Sequence, residues 1–152
     1  MQTCCTRCEA TQGLRPVALV VHPCCMLHDA VVHTAEGKFT QSITIGKHAL
    51  VGDEPDDVGG SDLGPSPHEY LLAALGTCTS MTMKMYAERK GWPLERCEVT
   101  VSMSNDDGTT VFSRKIVLHG ALTDEQRTRI LEIARKCPVH KTLTHPIAIR
   151  DS

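Results

Sequence analysis

Residues 65–92, PSPHEYLLAALGTCTSMTMKMYAERKGW, carry the reading on which the fold depends. Ser66 is a helix cap, and Pro67 suits the first helical position because its missing N–H would be unpaired there anyway. Glu69, at the third position, can reach back to the cap backbone. The pattern predicts a long helix from Pro67 to near Gly91. Leu71, Leu75, Cys78, Thr82 and Met85 recur at helical spacing, so Cys78 is expected to face the apolar core or a partner.

Working outward, Ala30 to Thr34, Phe39 to Ile45 and His48 to Val51 read as short strands, with Phe39, Gln41, Ile43 and Ile45 sharing one face. GDEPDDVGGSDLGPSP, rich in Gly, Pro and Asp, is a loop long enough to need a purpose, such as crossing to a partner subunit or covering a site. Beyond the helix, Cys97–Ser104 and Thr110–His119 alternate as strands joined by an NDDG hairpin. A second helix opens with the capping box from Thr123 to Gln126. It carries Leu122, Ile130, Ile133, Ala134 and Cys137 inward and is expected to stop at Pro138. A last strand from Leu143 to Ile149, demoted to an edge by Pro146, completes an α+β fold in the order β-β-β-α-β-β-α-β.

At 152 residues the chain fits one domain, placed at 29–152 behind an irregular cysteine-rich N-terminal extension, 1–28. A net charge of −2 and few aromatic side chains argue against a nucleic-acid partner. No apolar run approaches the ~20 residues of a membrane span, and MQTCCTRCEATQGL lacks the pattern of a secretory signal. A soluble cytoplasmic protein is expected, in a compartment where thiols stay reduced unless catalytic or metal-bound.

Five of the eight cysteines, Cys4, Cys5, Cys8, Cys24 and Cys25, crowd the start, whereas Cys78, Cys97 and Cys137 are spread through the periodic part. Cys5, Cys8, His22, Cys24 and Cys25 offer enough zinc ligands, but the second half of the set lacks a standard spacing. No metal or other cofactor is therefore expected. Cys97 reads as a small core residue and Glu69 as a cap. Met81, Met83 and Met85 read as packing for the core or an interface, and Lys136 and Lys141 as offsets to a helix C-terminal dipole. A helix C-terminus disfavours a thiolate, so Cys137, placed in the last turn before Pro138, is the poorer attacking thiol.

Three segments together carry a family resemblance: GGSDLGPSPHEYLLAALGTCTSMTMKMYAERKGWPL, GALTDEQRTRILEIA and KCPVHKTL. Over residues 29 to 150 the chain resembles the OsmC/Ohr family, in particular its OsmC-like branch. The resemblance implies an intertwined homodimer in which a long cysteine-bearing helix lies against sheets from both chains. It also implies reduction of organic or hydrogen peroxides without metal or flavin. Cys78 would take the attacking role, forming a sulfenic acid, and Cys137 the resolving role, forming a disulfide that an external dithiol reduces. The family's best-characterised enzymes carry a glutamate directly after the motif proline, where this chain has His68; Glu69 follows one residue later. They also use an arginine from the early strands, yet no arginine lies between Arg15 and Arg89 here, so Lys38, Lys47, His48 or His33 would have to substitute. The candidate supporting residues are accordingly His68, Glu69, Lys47, His48 and His140. The alternative reading is a non-catalytic member that binds a small apolar molecule in the dimer cleft or acts as a redox sensor.

Overall fold

A computed structural model describes residues 27–151. The cysteine-rich segment through Cys25, with its zinc alternative, lies outside the described residues. Three strands, β1 (Ala30–Thr34), β2 (Gln41–Ile45) and β3 (His48–Gly52), form an antiparallel meander. The long helix α1 (Pro67–Lys90) follows, then a two-stranded antiparallel ribbon of β4 (Arg96–Asp106) and β5 (Thr109–His119), then helices α2 (Asp124–Ala134) and α3 (Pro138–Thr144). The α+β class expected from the sequence holds, but the closing element differs: a short third helix replaces the expected final strand. Pro138 does not stop α2. It occupies the first position of a new helix, and α2 has already ended at Ala134.

Local chemistry accounts for the ends of α1. Glu69 Oε2 accepts from the Ser66 amide at 2.7 Å and from the Ser66 hydroxyl at 2.9 Å. These bonds, the amide's first, hold the Glu69 carboxyl below its ordinary value despite the opposing effect of desolvation. At the other end Gly91 takes a left-handed φ of 65° and its N–H returns to the Ala87 and Glu88 carbonyls, the cap that glycine provides at least strain. The β4–β5 turn is as compact as NDDG promised. Asp106 pairs with Thr109, leaving Asp107 and Gly108 at positive φ in a two-residue connection.

The core lies between α1, the ribbon and α2. Met83, Ala87, Leu94, Ile130 and Ala134 form its buried centre, with Trp92, Val99, Ile116, Leu118 and Leu122 packed around it. Gly76 lets α1 approach β4 closely: a Cβ there would stand 3.3 Å from a Val101 methyl. The buried stripe of α1 is Leu75, Gly76, Thr79, Met83 and Ala87. Of the stripe expected to face the core or a partner, Leu75 alone is buried in the single chain, whereas Leu71 and Met85 are exposed and Cys78 is half-buried. Both stripes fit a period of 3.6, and the glycine and Thr79, poor signals in a hydrophobic count, mark the one that packs.

The long loop folds around a buried carboxylate. Asp53 accepts from the Thr40 hydroxyl and from the Glu54, Ser61 and Leu63 amides. Burial works to raise its pKa, but these four bonds outweigh it and hold the carboxyl below its ordinary value. The Tyr70 hydroxyl donates to the Val51 carbonyl at 2.6 Å, tying the start of α1 to β3. Val32, Phe39, Ile43, Ile45, Leu50 and Tyr70 line an apolar concavity of ≈ 560 Å³ on one face of the meander. Among the described residues no helix is long and apolar enough to cross a membrane.

The reassignment of the methionines is testable by calorimetry. Met83 is fully buried and Met81 is 60% exposed, so Met83→Ala is expected to cost about 2–5 kcal/mol of unfolding free energy and Met81→Ala less than about 0.5 kcal/mol. Equal losses would mean that Met81 contributes to the core as Met83 does.

Candidate active site

Cys78 sits midway along α1, half-buried, on the flank of the stripe that enters the core. It opens on a groove of ≈ 500 Å³ lined chiefly by Tyr70, Ala74, Met81, Thr82, Met85 and Pro138. The groove is therefore apolar along α1 and closed at one end by the start of α3. Met81 and Met85 belong to its wall rather than to the core.

Cys137 reaches the same place from the other direction. A proline at 138 disfavours helical backbone in the residue before it, and Cys137 is extended, with φ −59° and ψ 133°. This residue thereby becomes the N-cap of α3, and its sulfur, wholly buried, accepts from the His140 amide at 3.4 Å. The Val139 amide points at the other sulfur, with Val139 N 3.5 Å from Cys78 Sγ. Two consecutive amides in the first turn of α3 thus serve two thiols from different helices.

That arrangement overturns the electrostatic ranking drawn from the sequence. Cys137 stands at a helix N-terminus, where amide hydrogens stabilise negative charge, and not at a C-terminus. Both cysteines are free thiols, and Cys137 is close enough to contribute to the ionisation cost of Cys78. Burial pushes the Cys78 thiol up from its ordinary value, and the neighbouring Cys137 thiol adds to that rise. The Val139 amide and the Thr82 side chain oppose it without cancelling it.

Of the five supporting candidates, His140 alone contacts the thiol pair, through its backbone amide. Its ring pKa is lowered, first by burial and then by the positive charges of Arg114 and Arg135, so the neutral imidazole is favoured near pH 7. His68 is exposed in the first turn of α1, and Glu69 is spent on the cap. Lys47 and His48 are exposed at the β2–β3 turn, outside the residues that line the groove. Lys38, named as a substitute cation, lies over its neighbour Phe39, 5.1 Å from the ring centre, and His33 is exposed on β1. Cys97, half-buried on β4, pairs with the Ser80 hydroxyl at 3.1 Å and stands apart from the pair. Among the described residues no cluster of three or more His, Cys, Asp or Glu side chains is arranged to hold a metal.

The residue missed from the sequence is Arg114. It is half-buried on β5 and donates from one nitrogen to the Thr79 hydroxyl at 2.9 Å and to the Ala134 carbonyl at 3.0 Å. Thr79 follows Cys78, and Ala134 ends α2 three residues before Cys137. A signal for it was present: along β5, Arg114 occupies the same phase as Phe112, Ile116 and Leu118, a charged residue in an inward-facing row.

None of the curated proteins matches the chain. Solved structures do match its fold. An OsmC-like protein from Mycoplasma pneumoniae superposes with a TM-score of 0.65 at 18% identity, over 76% of this chain and 86% of that one. An organic hydroperoxide resistance protein from Elizabethkingia anophelis, with thiocyanate bound, gives 0.60 at 15% identity over 78% and 88%. The organic hydroperoxide resistance protein OsmC from Legionella pneumophila gives 0.55 at 18% identity over 77% and 88%. In sequence, the family described as OsmC-like protein matches residues 59–150, a span that holds α1 with Cys78, the ribbon with Arg114, and the α2–α3 junction with Cys137. The chain belongs to the OsmC-like protein family.

Proposed function

We propose that the protein reduces hydroperoxides, organic ones foremost, with Cys78 and Cys137 as a redox pair. The observation that carries this reading is the convergence of the two thiols beneath the Val139 and His140 amides, at the end of an apolar groove. The Cys78 thiolate attacks the distal peroxide oxygen, the O–O bond breaks, and the leaving alkoxide takes a proton to become an alcohol. Cys78 is then a sulfenic acid. The Cys137 sulfur attacks that sulfenic sulfur, water leaves, and a disulfide joins α1 to α3. An external dithiol returns both cysteines to thiols and is itself oxidised to a disulfide. Hydroperoxide resistance proteins of the same fold, at 15–18% identity, lend this reading support from outside the chain.

Each step draws on a named feature. The apolar wall of Met81, Met85 and Tyr70 suits an organic peroxide better than a charged substrate. The Val139 amide favours negative charge on Cys78, and neutral His140 is available near the pair to take up or release a proton. No flavin or metal takes part in any step.

The assembly proposed is a homodimer. The meander leaves the apolar face of Val32, Phe39, Ile43, Ile45 and Leu50 open in a single chain, beside α1. A second copy of the same fold is the partner whose own exposed α1 residues, Leu71, Met81 and Met85, match that face in chemistry. A two-fold assembly burying about 2,000 Å² or more is expected, and light scattering at micromolar concentration should give twice the chain mass. A stable monomer would remove this proposal.

A second reading, the binding of a small apolar molecule without turnover, is favoured by one observation: Cys78 has a raised pKa and is mainly a thiol at neutral pH. Mass spectrometry after one equivalent of cumene hydroperoxide separates the two. Wild type should yield a Cys78–Cys137 disulfide, Cys137→Ser a trappable sulfenic acid on Cys78, and Cys78→Ser neither. An unoxidised Cys78 in the wild type would favour the binding protein.

The pH dependence follows from the direction of the shift. A raised thiol pKa leaves less thiolate at neutral pH, so the rate of Cys78 oxidation should climb by close to tenfold per pH unit until that pKa is passed. Cys137→Ala removes one of the causes of the rise. Alkylation by iodoacetamide as a function of pH should therefore show a lower Cys78 pKa in that variant. An unchanged or higher value would mean that the two thiols do not communicate.

A further inference from the structure

A further concavity, of ≈ 390 Å³, is lined by Phe112, Arg114, Ile116, Leu131, Ala134 and Arg135, from β5 and the end of α2. Two arginines therefore share one small cavity with four apolar residues. Among the described residues neither arginine pairs with a carboxylate; the acid on the last turns of α2, Glu132, is engaged by Arg129 instead. Arg114 directs one terminal nitrogen at Thr79 and Ala134, and no bond among the described residues uses its remaining N–H donors. Arg135 is exposed and free to turn toward a ligand. The positive potential is sensed nearby, since both guanidinium groups contribute to holding the His140 ring neutral.

Two arginines that pair with no carboxylate among the described residues, in a cavity more polar than apolar, match a ligand with an anionic head and a short hydrocarbon body. Arginine presents its donors in a planar fork that fits the two oxygens of a carboxylate. Phe112, Ile116 and Leu131 offer the alkyl portion a surface, and Leu131 is 42% exposed. We infer that the cavity between β5 and α2 is a binding site for an organic carboxylate, its head held between Arg114 and Arg135 and its chain laid along Phe112, Ile116 and Leu131. This goes beyond the proposed redox chemistry and does not depend on it. A carboxylate in the cavity would neutralise part of the charge beside His140, so its occupancy would be felt at the thiol pair through Arg114.

The test is a titration of the full chain with sodium octanoate, followed by amide chemical shifts. Sodium acetate and octan-1-ol serve as probes of the head and of the chain alone. Octanoate should saturate, moving the Phe112, Leu131 and Arg135 amides, while acetate binds more weakly and octan-1-ol leaves these amides in place. Arg135→Gln, at an exposed position whose side chain makes no hydrogen bond within the described residues, should keep the fold. It should weaken octanoate by about tenfold or more, as loss of a charge-assisted hydrogen bond predicts. Octanoate held only by the apolar face of the meander would be insensitive to Arg135→Gln, and that result overturns the inference. So does octan-1-ol binding at β5 and α2 as tightly as octanoate.

Discussion

The guanidinium of Arg114 ties β5 to both of the helices that lead to the thiols. It projects from β5 and bonds to Thr79 on α1 and to the Ala134 carbonyl that closes α2. The last carbonyls of a helix have no partner within it, and a buried one left bare would cost about 1–3 kcal/mol. Neighbouring backbone bonds run from Arg135 to Glu132 and from Lys136 to Ile133, so the Ala134 carbonyl depends on this side chain. Arg114 therefore allows α2 to stop where it does. Because α2 stops there, the chain has room for the Arg135–Lys136 turn and can set Cys137 at the head of a new helix instead of at the tail of an old one.

The polarity of that junction decides the chemistry of the pair. Had α2 continued to Cys137, its sulfur would have faced a row of carbonyls and a partial negative charge. With Cys137 as N-cap, Val139 and His140 present N–H groups to Cys78 and Cys137 respectively. Proline makes this geometry local and cheap. Pro138 holds Cys137 in extended backbone and starts α3 at a position where no amide is needed. The resolving residue of the proposed cycle is thus positioned by the same dipeptide that the sequence seemed to offer as a simple helix stop.

What could be read from the sequence, and what could not, follows from the range of the forces involved. Helix α1, its Ser66–Glu69 box, its Gly91 cap and the Asp107–Gly108 turn are set by interactions within a few residues, and they stand where the pattern placed them. The family resemblance picked out Cys78 and Cys137, which the structure brings together. Arg114 was not legible as a site residue, because its partners are 35 and 20 positions away and a charge in a strand ordinarily reads as a solvent-facing residue. The stripe of α1 that enters the core was not singled out, for a related reason. Hydrophobicity alone favours Leu71 and Met85, whereas packing against β4 selects Gly76 and Thr79, whose value lies in being small or in meeting a guanidinium.

Two thiols in contact cannot both carry charge at low cost. Burial, and after it the neighbouring Cys137 thiol, hold Cys78 above its ordinary pKa, so charge on that sulfur needs support. The α3 amides are matched to that situation, since together they support one thiolate wherever it sits. Exposure is in keeping with the roles proposed for the two thiols. Cys137 has no accessible surface, while Cys78 is half-buried and lines the groove, so a peroxide arriving from solvent meets only Cys78. In the proposed cycle Cys137 acts second, because its buried sulfur lies beside Cys78 and meets the sulfenic sulfur formed there.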